Sequence, residues 1–440
     1  MAEPWFDELA ELIAIPSVSA DPARAEDVGR AAEWLAGFVR GAGGSAEVVP
    51  TDTQPLILGE LPASNGARAT VLVYGHVDVQ PPDPLELWDS DPFTLEERDG
   101  WLYARGVVDD KGQLYMLAKA AAELHAAGEL PVTVRFACDS EEETGGHQIV
   151  DFLAADERGA DAAVIFDSGM TRRGVPEFSV ATRGVIYFHL TVRTGARDLH
   201  SGLFGGAALN ALHALNESLA AVRAENGRLP EPLRQGIAAP SDEERAAWAE
   251  LVPGEEMLAE AGARPDDLEA AEEFYLRTTA EPALDVHGII GGSPVLLKTV
   301  LPVEAEANLS IRLAPGQDVE TIAAAVEKLL RDATPAGAEL ELARLSSAAA
   351  GLVPPDAPAV QLGLEAFERA MGRRPLLVRS GGTLPIVPAL VDKGIPTIVT
   401  GFATPESNIH SPNERLLAEY MPLGIETAKE LYRRLAALEH

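Results

Sequence analysis

The sequence predicts an α/β protein: a three-layer domain on a mostly parallel sheet, interrupted by a second domain of α+β type. Three observations predict it. Short apolar, β-branched runs alternate with helix-patterned stretches up to Phe166. Near Arg183 this texture gives way to strands in which apolar and polar residues alternate. After Gly351 the buried pattern returns, so the chain leaves one domain, builds another and comes back.

Each element has its own signal. Glu26–Val39 places Val28, Ala31, Ala32, Leu35, Phe38 and Val39 at helical spacing. Thr70–Tyr74 (TVLVY), Val132–Ala137 (VTVRFA) and Ala162–Phe166 (AAVIF) read as buried strands, with a helix over Leu114–Ala127. Val185–Thr194 alternates like a half-exposed antiparallel strand and leads to a helix over Ala207–Ala224. Pro230–Pro282 is acidic, Ala-rich and helical in pattern, as an insertion would be. Glu304–Leu313 and Ala338–Leu345 are strands around a helix, Val319–Asp332. Pro358–Met371, the strand Pro396–Thr400 and the helix Leu423–Leu438 complete the first domain. The expected division is 1–182 and 351–440 against 183–350, with the insertion at 230–282 and hinges near Arg183 and Gly351.

A chain of 440 residues buries a substantial core, and 46% apolar with 24% charged residues is ordinary globular composition. The charge balance, 35 − 69 = −34, repels nucleic acid and anionic membranes, which are excluded as partners. There is no run of about 18 apolar residues to span a bilayer. The acidic stretch Met1–Leu12 does not read as a signal peptide. The lone Cys138 rules out an intrachain disulfide and fits a reducing, cytoplasmic setting.

The residues with chemistry fall at predicted strand ends, where open α/β sheets bind ligands. They are His76 and Asp78 after TVLVY, Asp109 and Asp110 before a helix, and the acids of Asp139-Ser140-Glu141-Glu142-Glu143 after VTVRFA. Asp167 ends AAVIF, and His410 follows PTIVT. Taken singly, each has an ordinary explanation: a helix cap, an exposed acidic turn, a core histidine. Together they place two imidazoles and several carboxylates where like charges would repel, which a multiply charged cation resolves. Two histidines and three carboxylates, one shared, give each of two metals three protein ligands. That is catalytic zinc chemistry, with manganese or cobalt as substitutes.

The segments GHVDV, RGVVDDKG and DSEEETGG, the terminal His410, the motif Asp198–Gly206 and the segment Leu309–Pro315 resemble the di-zinc exopeptidases of the carnosinase and cytosolic non-specific dipeptidase group. Glutamate carboxypeptidase, acetylornithine deacetylase and succinyl-diaminopimelate desuccinylase are related to that group. The resemblance implies His76 and Asp167 on one zinc, Glu143 and His410 on the other, and Asp109 between them. It implies Glu142 as general base, Asp78 as the carboxylate behind His76, and a cis Asp109–Asp110 peptide. It also implies a lid/dimerisation role for the second domain and a homodimer in which His200 reaches the partner's site. Arg312 would bind the carboxylate of a small peptide substrate, with Thr299, Gly381, Gly382 and Thr383 adding contacts. Leu345–Gly351 lacks the further substrate-side histidine of some relatives. The implied activity is dipeptide hydrolysis; the alternative on the same core is an N-acyl amino acid deacylase or a glutamate-carboxypeptidase-like enzyme.

Overall fold

The computed structural model describes residues 4–64, 66 and 69–438. The chain forms two compact units: Met1–Val180, Val353–Val378 and Ala389–His440 in one, Ala181–Leu352 with Arg379–Pro388 in the other. Two differences from the sequence reading follow. Arg379–Pro388, expected in the first domain, belongs to the second unit. The chain therefore passes between the units four times, where two hinges were expected.

The first unit is an α/β domain. Its central strands Thr133–Cys138, Thr70–Tyr74, Ala162–Arg172 and Thr397–Ala403 lie side by side and parallel. The antiparallel strands Leu56–Leu61 and Ser45–Val49 extend one side. Neither is evident in the sequence, where they carry no clear alternation. The helix Ala25–Gly41 buries Val28, Ala31, Ala32, Leu35 and Val39 as expected from spacing, together with Ala36, while Phe38 is only partly buried. The helix Lys111–Ala126 is buried on nearly all sides, which its run of alanines permits. It starts tightly: a Cβ on Gly112 would lie 1.9 Å from the Val107 carbonyl oxygen. It packs against Tyr420–Leu435, which in turn packs against Pro358–Met371.

The second unit is an antiparallel sheet ordered Ala283–Ile290, Glu304–Leu313, Gly184–Arg193, Glu339–Ala348. Alternate residues Ile186, Phe188, Leu190 and Val192, with Ala305, Ala307, Leu309 and Ile311, face one core. Helices Ala211–Ala220 and Val319–Ala333 cover it with Leu215, Leu219, Ile322, Val326 and Leu330. The first helix starts four residues later than expected because the Asn210 side chain caps it, accepting from Leu212 N at 2.9 Å. The 230–282 segment contains the short helices Asp242–Trp248 and Gly254–Glu260. No helix among the described residues is long and apolar enough to cross a membrane.

Candidate metal centre

All five expected ligands lie in the first unit, and the fold gathers them. His76 stands just beyond Thr70–Tyr74 and is fully buried. Its Nδ1 faces the backbone oxygen of Asp78 at 3.1 Å and the Asp78 carboxylate at 3.4 Å. That leaves Nε2 toward the centre, 3.2 Å from Asp109 Oδ1 and 3.9 Å from Asp167 Oδ1. On the opposite side, His410 Nε2 lies 2.9 Å from Asp109 Oδ2 and 3.2 Å from Glu143 Oε2. His410 itself is half-exposed, in a loop where Asn408, His410 and Asn413 all take positive φ. The Asp109–Asp110 peptide is cis.

Two groups of potential ligands result: His76, Asp109 and Asp167, and Asp109, Glu143 and His410, with donor atoms within 4.8 Å of one another in each. Asp109 belongs to both and turns a different oxygen to each. This donor set of imidazole and carboxylate fits a pair of divalent cations sharing one carboxylate.

The electrostatics show what the chain must balance by itself. Burial works against a charged His76, but Asp109, Asp167 and Asp78 outweigh it and lift its pKa well above the ordinary value. Burial likewise opposes ionisation of Asp109, and His410 and His76 outweigh that, holding its carboxyl low. Hydrogen bonds to Asp109 and Glu143 raise His410 to about 10. Asp167 is pushed up by burial, with His76 opposing. Glu142 is raised to about 8, first by burial and then by the charges of Asp167, Glu143 and Asp109, against His76.

Asp78 does more than face His76. Its carboxylate accepts from Ser19 Oγ at 2.6 Å and from the backbone N–H groups of Glu142 (3.3 Å) and Glu143 (3.2 Å). It thus ties the imidazole to the short turn Glu142–Thr144. The two neighbouring glutamates differ in their surroundings. Both Glu143 oxygens are held by Gln80, from its backbone N–H (3.1 Å) and side-chain Nε2 (2.8 Å). The Glu142 carboxylate has no hydrogen-bond partner among the described residues. Cys138 is buried and free, and burial pushes its thiol up.

The remaining expected residues lie in the second unit, in two places. Arg312 donates from Nη1 to Thr383 Oγ1 at 2.9 Å. Arg183 donates from Nε to the Gly381 carbonyl (3.0 Å) and from its backbone N–H to the Gly382 carbonyl (2.9 Å). Gly381 has no room for a side chain, since a Cβ would lie 2.8 Å from the Thr278 oxygen. His200 and Thr299 form the other group: His200 pairs with Val300 across a two-residue ladder, and the Thr299 carbonyl accepts from Ser201 N (3.0 Å) and Oγ (2.7 Å). Thr299 therefore stands beside His200, and Thr383 beside Arg312.

Sequence reasoning misses Gln80, Ser19, Arg183 and, above all, Arg105 and Glu414. Glu414 is fully buried, as is Arg105, whose Nη1 lies 2.6 Å from Glu414 Oε2. The signals in the sequence are the place of Arg105 at the start of RGVVDDKG and the proximity of Glu414 to His410.

Residues 72–434 match the profile of Peptidase family M20/M25/M40. A cysteinylglycine-S-conjugate dipeptidase from Corynebacterium striatum is 29% identical over 422 residues, 93% of this chain and 90% of its own length. A Beta-Ala-His dipeptidase from Homo sapiens is 30% identical over 380 residues, 82% of this chain and 74% of its own length. The structure of an M20 family metallo-carboxypeptidase from Sulfolobus solfataricus superposes with a TM-score of 0.83 at 25% identity, covering 99% of this chain and 100% of that one.

Proposed function

The chain belongs to peptidase family M20/M25/M40 and is a hydrolytic metallopeptidase; from that premise we propose that it cleaves the amide bond of dipeptides or small peptides carrying a free C-terminal carboxylate. The observation that carries this reading is the pair of ligand groups sharing Asp109. His76, Asp167 and Asp109 would hold one zinc, and Glu143, His410 and Asp109 the other, with manganese or cobalt as substitutes. Bound there, the cations would lower the pKa of a water and polarise the scissile carbonyl. Glu142, whose carboxylate has no hydrogen-bond partner among the described residues, takes a proton from the attacking water and returns it to the leaving amine. Asp78 orients His76 and the Glu142 turn together. The fork of Arg312, braced by Thr383 beside the Gly381–Gly382 turn, receives the substrate carboxylate. The dipeptidase names of the two relatives support the substrate class, and the lone buried cysteine supports a cytoplasmic setting.

The test is a panel of Xaa-Gly and Xaa-Ala dipeptides against N-acetyl amino acids and longer peptides, with the chain loaded with zinc, manganese or cobalt. Dipeptides should be cleaved at least about ten times faster than the others. Preference for N-acetyl amino acids would instead make it a deacylase. Stepwise trimming of longer peptides would favour a carboxypeptidase, a reading that the Sulfolobus relative supports.

His200 acts, in this reading, on the oxyanion in a partner chain's site, so that the working form is a homodimer. The second unit carries surface that supports assembly. Leu203 is 76% exposed and Phe204 45%, directly after His200. The strand Ala283–Ile290 lies at the edge of its sheet and exposes Ile289 (58%) and Ile290 (66%); the unpaired backbone groups of such an edge tend to pair with another chain. A His200→Ala chain and a Glu142→Ala chain should each be nearly inactive alone. Mixed and allowed to exchange, they should regain part of the activity through heterodimers with one intact site. Confirmed exchange without recovery would end the shared-site idea.

A further inference from the structure

Three of the five segments that bring ligands to the proposed centre are His76 and the loop to Pro81, Arg105 to Asp109, and His410 to Glu414. One buried ion pair touches all three. Glu414 Oε1 accepts from the backbone N–H groups of Val108 (3.0 Å) and Asp109 (3.2 Å). Its Oε2 accepts from Gly106 N (3.1 Å) and Arg105 Nη1 (2.6 Å). Its own backbone carbonyl accepts from Ala104 N at 3.2 Å. Arg105 Nη2 reaches the other two segments, donating to the carbonyls of Pro81 (3.3 Å) and Ser411 (3.5 Å). Gly106, with φ +85°, lets the loop curl around the carboxylate, and a Cβ there would lie 2.7 Å from a Val79 methyl.

From this geometry we infer that Arg105 and Glu414 form a template that sets the cation centre before any cation binds, with Glu414 as the positioning residue for the shared ligand Asp109. The inference rests on the two-cation reading above. Its physical basis is that a carboxylate with no solvent contact must have its acceptor sites filled, and here the backbone of the bridging loop fills them. The N–H of Asp109 is one of those donors, so the backbone of the bridge is fixed from behind while its side chain faces the centre. Because Glu414 lies four residues beyond His410, the same loop that supplies a ligand to one group fixes the ligand common to both. Nothing in this arrangement needs a cation to hold it.

Two measurements test it. In the metal-free chain, the amides of Gly106, Val108 and Asp109 should exchange with solvent at least about 10²-fold more slowly than in the unfolded chain. Free exchange at these amides until metal is added overturns the template, because the cation would then be organising the loop. Secondly, Glu414→Gln cannot accept on both sides. It should weaken cobalt binding about 10–100-fold and change the visible absorption of the bound cobalt, while the circular dichroism of the metal-free chain is unchanged. Two equivalents bound with unaltered affinity and spectrum would overturn the role of Glu414. Should this variant not fold, the exchange measurement on the unaltered chain decides alone. Absence of cobalt binding by the unaltered chain would sink the two-cation reading, and amide protection would still report on the template.

Discussion

Replacing Glu142 with alanine should lower kcat on the best dipeptide by about 10²–10⁴-fold while the chain keeps both cations. The turn that carries Glu142 is pinned by its backbone: Asp78 accepts from the N–H groups of Glu142 and Glu143, and neither bond needs the Glu142 side chain. Removal therefore leaves Glu143 in place, still gripped by Gln80. What disappears is a carboxylate that has no hydrogen-bond partner among the described residues and whose affinity for a proton is raised, to about 8, by burial and by its acidic neighbours. Turnover by stopped assay and metal content by mass spectrometry decide the matter together. Near-normal kcat would end the assignment as base, and loss of a cation would reassign Glu142 as a ligand.

Asp109→Ala should do something different: strip both cations and abolish hydrolysis. Each of the two ligand groups contains three residues, and Asp109 is the one in common. Its two oxygens face opposite ways, one to His76 and one to His410. Loss of this side chain leaves His76 with Asp167 on one side and Glu143 with His410 on the other, two ligands each, which is below the usual protein complement of a catalytic zinc. Zinc retained after exhaustive buffer exchange should fall from two equivalents to near none. His410→Ala is the comparison, expected to release one equivalent only. An Asp109→Ala chain that retains two equivalents would show that the carboxylate is not a bridge.

The sequence is most informative where chemistry and secondary structure meet. TVLVY and AAVIF are short, β-branched and uninterrupted, so their pattern alone assigns the residues just past them to strand ends. His76 stands just past its strand, where that reasoning puts it, whereas Asp167 lies within a strand that runs on to Arg172 instead of at its end. The residues that hold the ligands are not legible in the same way. Arg105 and Glu414 are 309 positions apart, so their pairing exists only once the chain has folded. Gln80 follows a motif that draws attention to His76 and Asp78 and reads as an ordinary loop residue. Ala283–Ile290 escapes notice because a register shift between Val286 and Gly288 interrupts the alternation of Leu284, Val286 and Ile289, which lie opposite Ile311, Leu309 and Ala307. Arg379–Pro388 falls to the wrong unit because apolar periodicity reports burial and not the neighbours that provide it.

That last segment has a bearing on how such a protein can be inherited or rebuilt. The second unit is not a cassette. Cut out as Ala181–Leu352, it would lack Arg379, whose guanidinium is almost wholly enclosed and donates to Glu244 at 2.6 Å and to the Ala238 carbonyl at 2.7 Å. Glu244 would be left as a buried charge without its counter-ion, which is costly in a folded chain. Arg312 would lose Thr383, and Arg183 the Gly381–Gly382 turn. A gene-level exchange of this unit between relatives therefore has to carry two pieces of coding sequence together, separated by the stretch that encodes Val353–Val378. Recombination with breakpoints at the ends of Ala181–Leu352 would transmit the acid without its arginine.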